Sequence, residues 1–311
     1  MVIDSPLVSV IIPTYDRPEL LRRALTSVVS QSYENLEIIV VDDCPSEPAK
    51  KVVERFDDSR IRYILHEQNK GVCGARNTGI KRSQGQLLAF LDDDDTWLKH
   101  KIQEQINLAS NNTNTNLVYT GSKNVDDSGN TLSVSRPGIE GDVTKRLLLG
   151  DFISFSSILV DRETIEQASL LDEDLTNWED WEWCIRLSRH TDVGFINQTL
   201  VVSYRGKHEM RSDDFEKKRD IGFDRFINKV RPIAGQYGSL FKRKFRSYLH
   251  YHLGYDALGS DYSEARKRLF TSIKLWPFIS KSYVYLSLAI LGHPGYTTAQ
   301  SVKRRVVDLL D

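Results

Sequence analysis

Short apolar runs alternate with helical stretches over residues 7–100, and this alternation limits the fold more than any other feature of the chain. The apolar runs are VSVII, LEIIVV, RIRYIL and QLLAFL, each followed by a stretch with helical character. Such alternation is typical of βαβ units, whose right-handed crossovers make the strands of a sheet parallel. Largely apolar runs indicate strands that are buried on both faces. The sequence therefore predicts an α/β fold with a mostly parallel sheet flanked by helices.

The remainder of the chain divides into a less regular part and a helical part. Residues 126–141, rich in Asp, Ser, Gly and Pro, predict a hairpin and loop. Around them we expect one helix and four strands: helix Trp178–Arg189, with Asn177 placed to cap it, and strands Asn116–Gly121, Ser156–Asp161, Gly194–Asn197 and Leu200–Tyr204. Beyond Ser212 the pattern predicts helices at about 213–235, 240–259, 263–275 and 281–292.

The charge of the chain is divided unevenly along its length. Residues 1–202 hold 21 basic and 32 acidic side chains, a net charge of −11, whereas residues 203–311 hold 21 and 11, a net charge of +10. The three cysteines are far apart and lack ligand spacing, which excludes a disulfide framework and a structural zinc site. We therefore expect a cytoplasmic protein. We expect no segment that crosses a bilayer, and no signal segment in the N-terminal run, because an acid precedes its six apolar residues and Pro13 ends it.

The sharpest single signal is the acidic tetrad Asp92–Asp95, which directly follows the strand LLAFL. Four adjacent carboxylates repel one another unless a cation or protons neutralise them. Hard oxygen ligands at a strand end suit Mg²⁺ or Mn²⁺, which would bridge to the phosphate oxygens of a substrate. The alternative is a solvated acidic turn in which Asp95 caps the next helix.

Polar residues also follow two other predicted strands, and in an open α/β sheet ligands bind beyond these carboxyl ends. The segment Pro13–Arg17 follows the first strand, and Asp42 and Asp43 end the second. The stretch NKGVCGARN lacks the dinucleotide fingerprint, but its glycines allow close backbone approach and Arg76 adds a cation for a diphosphate. Its alternative is a helix start with a surface arginine.

The segment WEDWEWCIRL holds three of the five tryptophans within six residues. In one interpretation Glu179 and Asp180 interact favourably with the positive end of the helix dipole, and the indoles pack in the core. In the other, a carboxylate is a general base beside aromatic walls that stack on a sugar ring. The lone histidine His208 is either structural or a ligand of a metal or phosphate.

Five motifs, taken in order, resemble those of family 2 glycosyltransferases of the GT-A fold: VSVIIPTYDRPELL, EIIVVDD, NKGVCGARNTGI, FLDDDD and WEDWEWCIRL. The resemblance extends over residues 7–212. The resemblance implies inverting transfer of a sugar from a nucleotide-diphosphate sugar, expected to be a UDP-sugar, to the hydroxyl of a glycan or lipid-linked acceptor, with Mn²⁺ or Mg²⁺ as cofactor. It also implies a nucleotide-sugar-binding half at 1–100 and an acceptor-binding half at 101–212. The basic helical region at 213–311 is expected from its own pattern and charge and follows no family-wide pattern. No nucleic-acid partner is expected.

The family's functional residues are carried over position by position. Asp180 would be the catalytic base, Asp94 and His208 would bind the metal, and Trp178, Glu179 and Trp181 would bind the acceptor. The donor site would consist of Pro13, Thr14, Tyr15, Arg17, Asp42, Asp43, Arg76, Asp92 and Asp93. Either Asp42 or Asp43 would bind the nucleobase of the donor. Because Asp93 adds an acid at the variable position of the DxD motif, the sequence leaves open which carboxylates bind the metal.

Two other functions also fit parts of this sequence, a phosphatase and a binding module. Asp92, Asp94 and Thr96 also fit the DxDxT motif of haloacid-dehalogenase-like phosphatases, although three βα units precede it here and no GDxxxD follows. A nucleotide-sugar-binding module without catalysis is the second rival.

The basic residues at 241–246 and 303–305, each beside apolar positions at helical spacing, predict peripheral contact with the anionic cytoplasmic face of a membrane. A solvated helical subdomain and a polyanionic glycan acceptor are the alternatives for this region.

Overall fold

The protein divides into two compact units. The computed structural model describes residues 5–45, 49–112, 114–175, 177–205, 219, 222–258 and 260–292. One unit comprises Met1–Thr144, Phe152–Asp174 and Glu179–Glu209, and the other comprises Lys145–Asp151, Leu175–Trp178 and Met210–Asp311. The first unit contains the sheet, and the second contains the C-terminal helices.

The first unit is built on one mixed sheet, of which nine strands are described. They are β1 Val8–Thr14, β2 Leu36–Asp42, β3 Ile61–Leu65, β4 Leu87–Phe90, β5 Asp95–Trp97, β6 Thr115–Val125, β7 Thr131–Ser135, β8 Leu159–Asp161 and β9 Asp192–Tyr204. The helices are α1 Pro18–Val29, α2 Lys50–Val53, α3 Gly71–Arg82, α4 Lys101–Ser110, α5 Thr144–Leu147, α6 Arg162–Ala168 and α7 Glu179–Leu187.

The strand order is β3-β2-β1-β4-β8-β6-β9-β5, with β7 paired to β6. Strands β1 to β4 are parallel to their neighbours, while β8 runs antiparallel to both β4 and β6. Strand β9 is parallel to β6, and β5 is antiparallel to β9. The expected α/β fold with parallel strands and flanking helices is therefore confirmed, and the antiparallel pairings of β5, β7 and β8 make the sheet a mixed one.

Burial explains why the first four strands were recognisable. Every residue of β1 and β2 is buried, as expected of parallel strands covered on both faces. Helix α1 packs against this sheet through Leu21, Ala24, Leu25 and Val28, which recur at helical spacing and are fully buried. Burial of each Leu or Val side chain stabilises the fold by about 1.5–3 kcal/mol.

The antiparallel half differs from the expected pattern. The two strands predicted at 194–197 and 200–204 are one strand, β9, because the polar residues between them are accommodated by register shifts against β6 around Gly121. The strand predicted at 156–161 is shorter, because Phe155–Ser157 forms a 3₁₀ turn before β8. The hairpin predicted at 126–141 is present as β6 and β7.

Two predicted helix boundaries are also wrong. Asp95 does not cap the next helix; it begins β5, and α4 starts six residues later at Lys101. Helix α7 begins at Glu179 rather than Trp178, because Trp178 has a φ of 60° and cannot belong to a right-handed helix.

In the second unit the described helices are α8 Phe223–Gly235, α9 Gly238–Asp256 and α10 Tyr262–Leu275, followed by helical residues 280–292. Helices α9 and α10 pack antiparallel, since Arg243 Nε donates to the Leu275 carbonyl and Gly254 lies against Leu269. A Cβ at Gly254 would come within 2.8 Å of the Leu269 Cγ, so this close approach requires glycine. Among the described residues, no helix combines the length and apolar character needed to cross a bilayer.

Candidate active site

The turn after β1 carries the first group of predicted donor residues. Thr14 is buried at the strand end, and its Oγ1 donates to Asp93 Oδ2 at 2.8 Å. Asp16 has a φ of 52°, which turns the chain sharply before Pro18 begins α1. Tyr15 is 50% exposed on this turn. The loop therefore presents an aromatic ring to solvent while Thr14 attaches it to the acidic tetrad.

Arginine side chains surround the first three members of the acidic tetrad. Arg17 Nη1 lies 3.5 Å from a carboxylate oxygen of both Asp93 and Asp94. Arg76 Nη2 donates to Asp92 Oδ1 at 2.7 Å. Arg23 Nη2 donates to the backbone carbonyl of Asp94 at 3.2 Å. These three arginines thus contact three of the four aspartates, Asp92, Asp93 and Asp94.

The four aspartates differ in exposure and therefore in chemistry. The side chains of Asp92 and Asp94 are 34% and 21% exposed, whereas Asp93 and Asp95 are buried. Burial raises the pKa of Asp93 to about 7, with a further increase from Asp94 and opposition from the Thr14 hydrogen bond and Arg17. Burial and the charges of Asp92 and Asp94 likewise raise the pKa of Asp95 to about 7. Only the first and third members of the tetrad are accessible carboxylates.

Arg76 occupies a buried position in α3 instead of the protein surface, so the alternative of a surface arginine is wrong. Its guanidinium lies 3.9 Å from the centre of the Phe155 ring and pairs with Asp92. Burial alone would lower the pKa of Arg76, but the charges of Asp92, Glu179 and Asp180 raise it above its ordinary value. The start of α7 is therefore electrostatically coupled to the end of β4 through this one cation.

Asp42 and Asp43 lie at the end of β2, and protein donors already contact both carboxylates. Asp42 accepts from Tyr63 Oη at 2.7 Å, from the Cys44 backbone at 3.0 Å and from the backbone of Ala49. It is fully buried, and Asp43 is 4% exposed. The structure thus shows Asp42 as a carboxylate that holds its own loop, and its predicted contact with the base stays a prediction.

Asp43 connects β2 to the start of α3. Its carboxylate accepts from the backbones of Lys70 and Gly71, both at 2.8 Å, and from His66 Nδ1 at 2.7 Å. The other ring nitrogen of His66 lies 2.9 Å from Thr78 Oγ1. Gly71 has a φ of 75°, which favours glycine at this helix start. The chain Asp43–His66–Thr78 therefore fixes the segment that carries Arg76, and the prediction that Asp43 contacts the base stays a prediction.

The polar and aromatic residues at the start of α7 differ from one another in burial. Asp180 is half-buried and accepts from the Trp181 backbone at 2.8 Å, while Glu179 is 9% exposed. Trp181 is 2% exposed, so the expectation that its ring forms an acceptor wall is corrected: the ring belongs to the interior. Trp178 is half-buried in the second unit, with its ring 5.2 Å from that of Phe226.

Several site residues were missed by sequence reasoning. Ser156 accepts from the Asp92 backbone at 3.1 Å and hydrogen-bonds the Asp95 carboxyl, as does Ser203. Arg23 lies 3.5 Å from the centre of the Tyr204 ring. These serines lie in 3₁₀ and strand segments without a motif, so only their tertiary position reveals them. His66 directly follows β3 at the same edge as Asp43, which was an available signal.

One predicted ligand falls outside the described residues, namely His208. Within the part of the chain that the structure describes, no group of three or more His, Cys, Asp or Glu side chains is arranged to hold a metal ion. Pro13, the last predicted donor residue, is buried within β1 at the level of Val41 in β2.

Comparison with known proteins identifies the family. The model described as "Glycosyl transferase family 2" matches residues 9–165. The chain is 30% identical over 207 residues, 64% of its own length and 77% of the relative's, to the Escherichia coli UDP-Glc:alpha-D-GlcNAc-diphosphoundecaprenol beta-1,3-glucosyltransferase WfgD. The chain belongs to glycosyltransferase family 2. A putative teichuronic acid biosynthesis glycosyltransferase of Bacillus subtilis, TuaG, is 30% identical over 180 residues, 56% of this chain and 71% of that one. The expected glycosyltransferase activity is thereby confirmed over the phosphatase.

Solved structures confirm the fold. S. aureus TarS 1–349 in complex with UDP-GlcNAc superposes with a TM-score of 0.66 at 17% identity, covering 96% of this chain and 92% of that one. The mannosyltransferase PcManGT from Pyrobaculum calidifontis, in complex with GDP-Man and Mn²⁺, superposes with a TM-score of 0.58 at 16% identity, covering 95% and 83%. The GT-A fold expected for this family 2 enzyme is the fold it has.

Proposed function

We propose that this enzyme transfers a sugar from a UDP-sugar to the hydroxyl of a glycan or lipid-linked acceptor, with inversion at the anomeric carbon. The observation that carries the proposal is the coupling of Arg76 to carboxylates from two separate segments: Asp92 after β4, and Glu179 and Asp180 at the start of α7. Arg76 thus lies between the carboxylate proposed for the donor and those proposed for the acceptor, which suits a single displacement between the two substrates.

The donor would bind at the edge formed by the turn after β1 and the acidic tetrad. Tyr15 is exposed there to contact the nucleotide, and Arg17 extends toward Asp94. Arg76 would add positive charge where the diphosphate leaves. The buried donor-site residues are proposed to support the loops that contact the donor; they are Pro13, Thr14, Asp42, Asp43 and Asp93. The solved TarS complexes contain UDP and UDP-GlcNAc, which supports a uridine donor.

A divalent cation, Mn²⁺ or Mg²⁺, fits the exposed carboxylates of the tetrad. Asp94 and Asp92 retain solvent-accessible oxygens, whereas their two neighbours are buried, and hard oxygen ligands suit both cations. Asp94 would hold the ion, with His208 as the further proposed ligand. When bound, the cation would neutralise charge on the nucleotide diphosphate. The PcManGT complex contains Mn²⁺, which supports this cofactor.

Asp180 is proposed as the general base. It lies in the first turn of α7 and is more exposed than Glu179, so its carboxylate is the more accessible of the two to an acceptor hydroxyl. Asp180 would take the proton of the acceptor hydroxyl as that oxygen attacks the anomeric carbon from the face opposite the nucleotide. Glu179 and Trp178 would contact the acceptor. Single displacement inverts the configuration.

The acceptor class is proposed from the relatives. The name of the E. coli relative states a diphosphoundecaprenol-linked acceptor, and that of the B. subtilis relative states teichuronic acid biosynthesis. A lipid-linked or polymeric glycan acceptor, with peripheral contact to an anionic membrane, is therefore proposed for this enzyme.

The test is a screen of nucleotide sugars with and without Mn²⁺ or Mg²⁺, followed by analysis of the product. A UDP-sugar should raise the melting temperature only when the cation is present, and ligand at about 100 times its Kd adds about 2.7 kcal/mol of stability. With that donor, nuclear magnetic resonance of the product should show an inverted anomeric configuration. Stabilisation by no nucleotide sugar, or retention of configuration, would contradict the proposal.

A further inference from the structure

The second unit carries an unusual end at which exposed apolar and basic side chains lie together. We define this end, the basic aromatic end, by Leu240, Lys244, Lys274, Trp276, Phe278 and Lys281. Phe278 is 79% exposed and Leu240 is 64% exposed. Single exposed apolar side chains are common, but a patch of them rimmed by charged residues marks a site of contact with a protein or a membrane.

Local packing brings these residues together. Helix α10 ends at Leu275, whose carbonyl accepts from Arg243 Nε at 2.6 Å, and Pro277 prevents the helix from continuing. The rings of Trp276 and Phe278 lie 5.4 Å apart, and Lys244 Nζ lies 5.9 Å from the Trp276 ring. Because α9 runs antiparallel to α10, its first residues lie at the same end.

The turn is held rigidly from inside the unit. Ser247 Oγ donates to the Ser272 carbonyl at 2.7 Å, and Ser272 Oγ lies 3.1 Å from Ser282 Oγ. All three serines are fully buried. The exposed Phe278 is therefore presented on a fixed turn between α10 and the helical residues 280–292.

Charge is also divided along this helical array. Between residues 238 and 292 there are nine Lys and Arg residues but only three acidic residues, Asp256, Asp261 and Glu264. The acids lie where α9 ends and α10 begins, and Glu264 pairs there with Arg268 and Lys267. The basic aromatic end itself contains no acidic residue. It therefore carries a net positive charge beside its apolar side chains.

We propose that the basic aromatic end inserts into the surface of an anionic lipid bilayer. Phe278 and Leu240 would enter the boundary of the acyl chains, Trp276 would lie at the headgroup level, and the lysines would contact anionic headgroups. A glycan could stack on the aromatic rings, but it would leave the aliphatic side chain of Leu240 in water, whereas a bilayer surface would bury both Leu240 and Phe278. This inference deepens the proposed function and rests on it only for the lipid-linked acceptor, because lipid binding is measured without donor or acceptor.

The experiment is co-sedimentation of the full-length protein with vesicles of phosphatidylglycerol and phosphatidylcholine, and with vesicles of phosphatidylcholine alone. We expect binding to the anionic vesicles that weakens as salt is raised, because salt screens the headgroup charge. Phe278→Ser should weaken this binding about tenfold or more, the value for one buried aromatic side chain. Replacing Lys274 and Lys281 by Gln should weaken it about fivefold per cation and reduce its salt dependence.

Matched controls separate this surface from general apolar adhesion and from misfolding. Val134→Ser replaces a side chain that is 52% exposed on β7, and we expect it to leave vesicle binding unchanged. An unchanged melting temperature of Phe278→Ser would show that this variant is folded. The proposal is wrong if the wild-type protein ignores anionic vesicles at low salt, or if Phe278→Ser binds them as tightly as wild type. It is equally wrong if the end instead binds a soluble polyanionic glycan or a second copy of the chain without binding vesicles.

Discussion

Replacement of Arg76 by Met tests whether this cation holds the candidate active site together. The Arg76 side chain is 5% exposed and its Nη2 lies 2.7 Å from Asp92, whose side chain is 34% exposed. Removing one member of a buried ion pair costs about 3–5 kcal/mol, because the other charge is left without a partner. Since Asp92 can regain some water, we expect the free energy of unfolding to fall by about 3 kcal/mol.

The measurement is urea unfolding of the variant beside a matched control, Arg22→Met. Arg22 pairs with Glu19 on the surface of α1, and both side chains are more than half exposed, at 53% and 73%. Such a surface pair contributes about 0–1 kcal/mol, so the control should unfold close to wild type. Adding Asp92→Asn to Arg76→Met should restore part of the lost stability, because the unpaired charge is then removed. An Arg76→Met variant within about 1 kcal/mol of wild type would refute the reasoning.

Three further outcomes are expected. Asp94→Asn should abolish both transfer and metal-dependent nucleotide binding while leaving the urea transition in place, because an amide cannot neutralise a cation; near-normal turnover would contradict the metal assignment. Asp180→Asn should lower kcat by at least about 10²-fold with donor affinity little changed; a loss of donor binding with turnover retained would favour Glu179 as the base. Burial, with Arg268 and Arg246 nearby, lowers the pKa of His250 from 6.5 to about 4. The unfolded chain binds this proton first, so stability should be complete above about pH 6.5 and fall toward pH 4, and urea titrations of His250→Phe should show a weaker dependence.

The parallel half of the fold could be predicted because its physical cause is local. Strands β1 and β2 are buried at every residue, so their apolar runs are unambiguous. Strand β5 could not be predicted, because the three residues Asp95, Thr96 and Trp97 have no strand pattern and are extended only by pairing with β9. The same holds for β9, whose polar middle looks like a loop until β6 supplies a partner with a shifted register.

The candidate site was predictable as a set of segments, and less so as a set of contacts. Strand ends, the tetrad and the start of α7 are all visible as motifs. The sequence could not show that Asp43 accepts from His66 and two backbone amides, because these bonds join segments 23 to 28 residues apart. Burial of the indoles was one of the two interpretations of WEDWEWCIRL, and only the structure shows that it holds for Trp181 and Trp183.

The acidic tetrad shows why a charge run alone is an incomplete signal for a metal. Four adjacent carboxylates repel one another unless positive charge or protons offset the repulsion, and here arginine side chains supply part of that positive charge. Arg17 forms ion pairs with Asp93 and Asp94, and Arg76 forms one with Asp92. Burial raises the pKa of Asp95 to about 7, so this fourth carboxyl is ionised less readily than a free one. The four carboxylates can therefore coexist without a metal ion, and the proposal of one rests on the exposure of Asp92 and Asp94. Arg17 Nη1 is 3.5 Å from Asp94 whereas Arg76 Nη2 is 2.7 Å from Asp92, so a divalent cation at Asp94 would replace the longer contact, and the shorter pair should persist when donor binds.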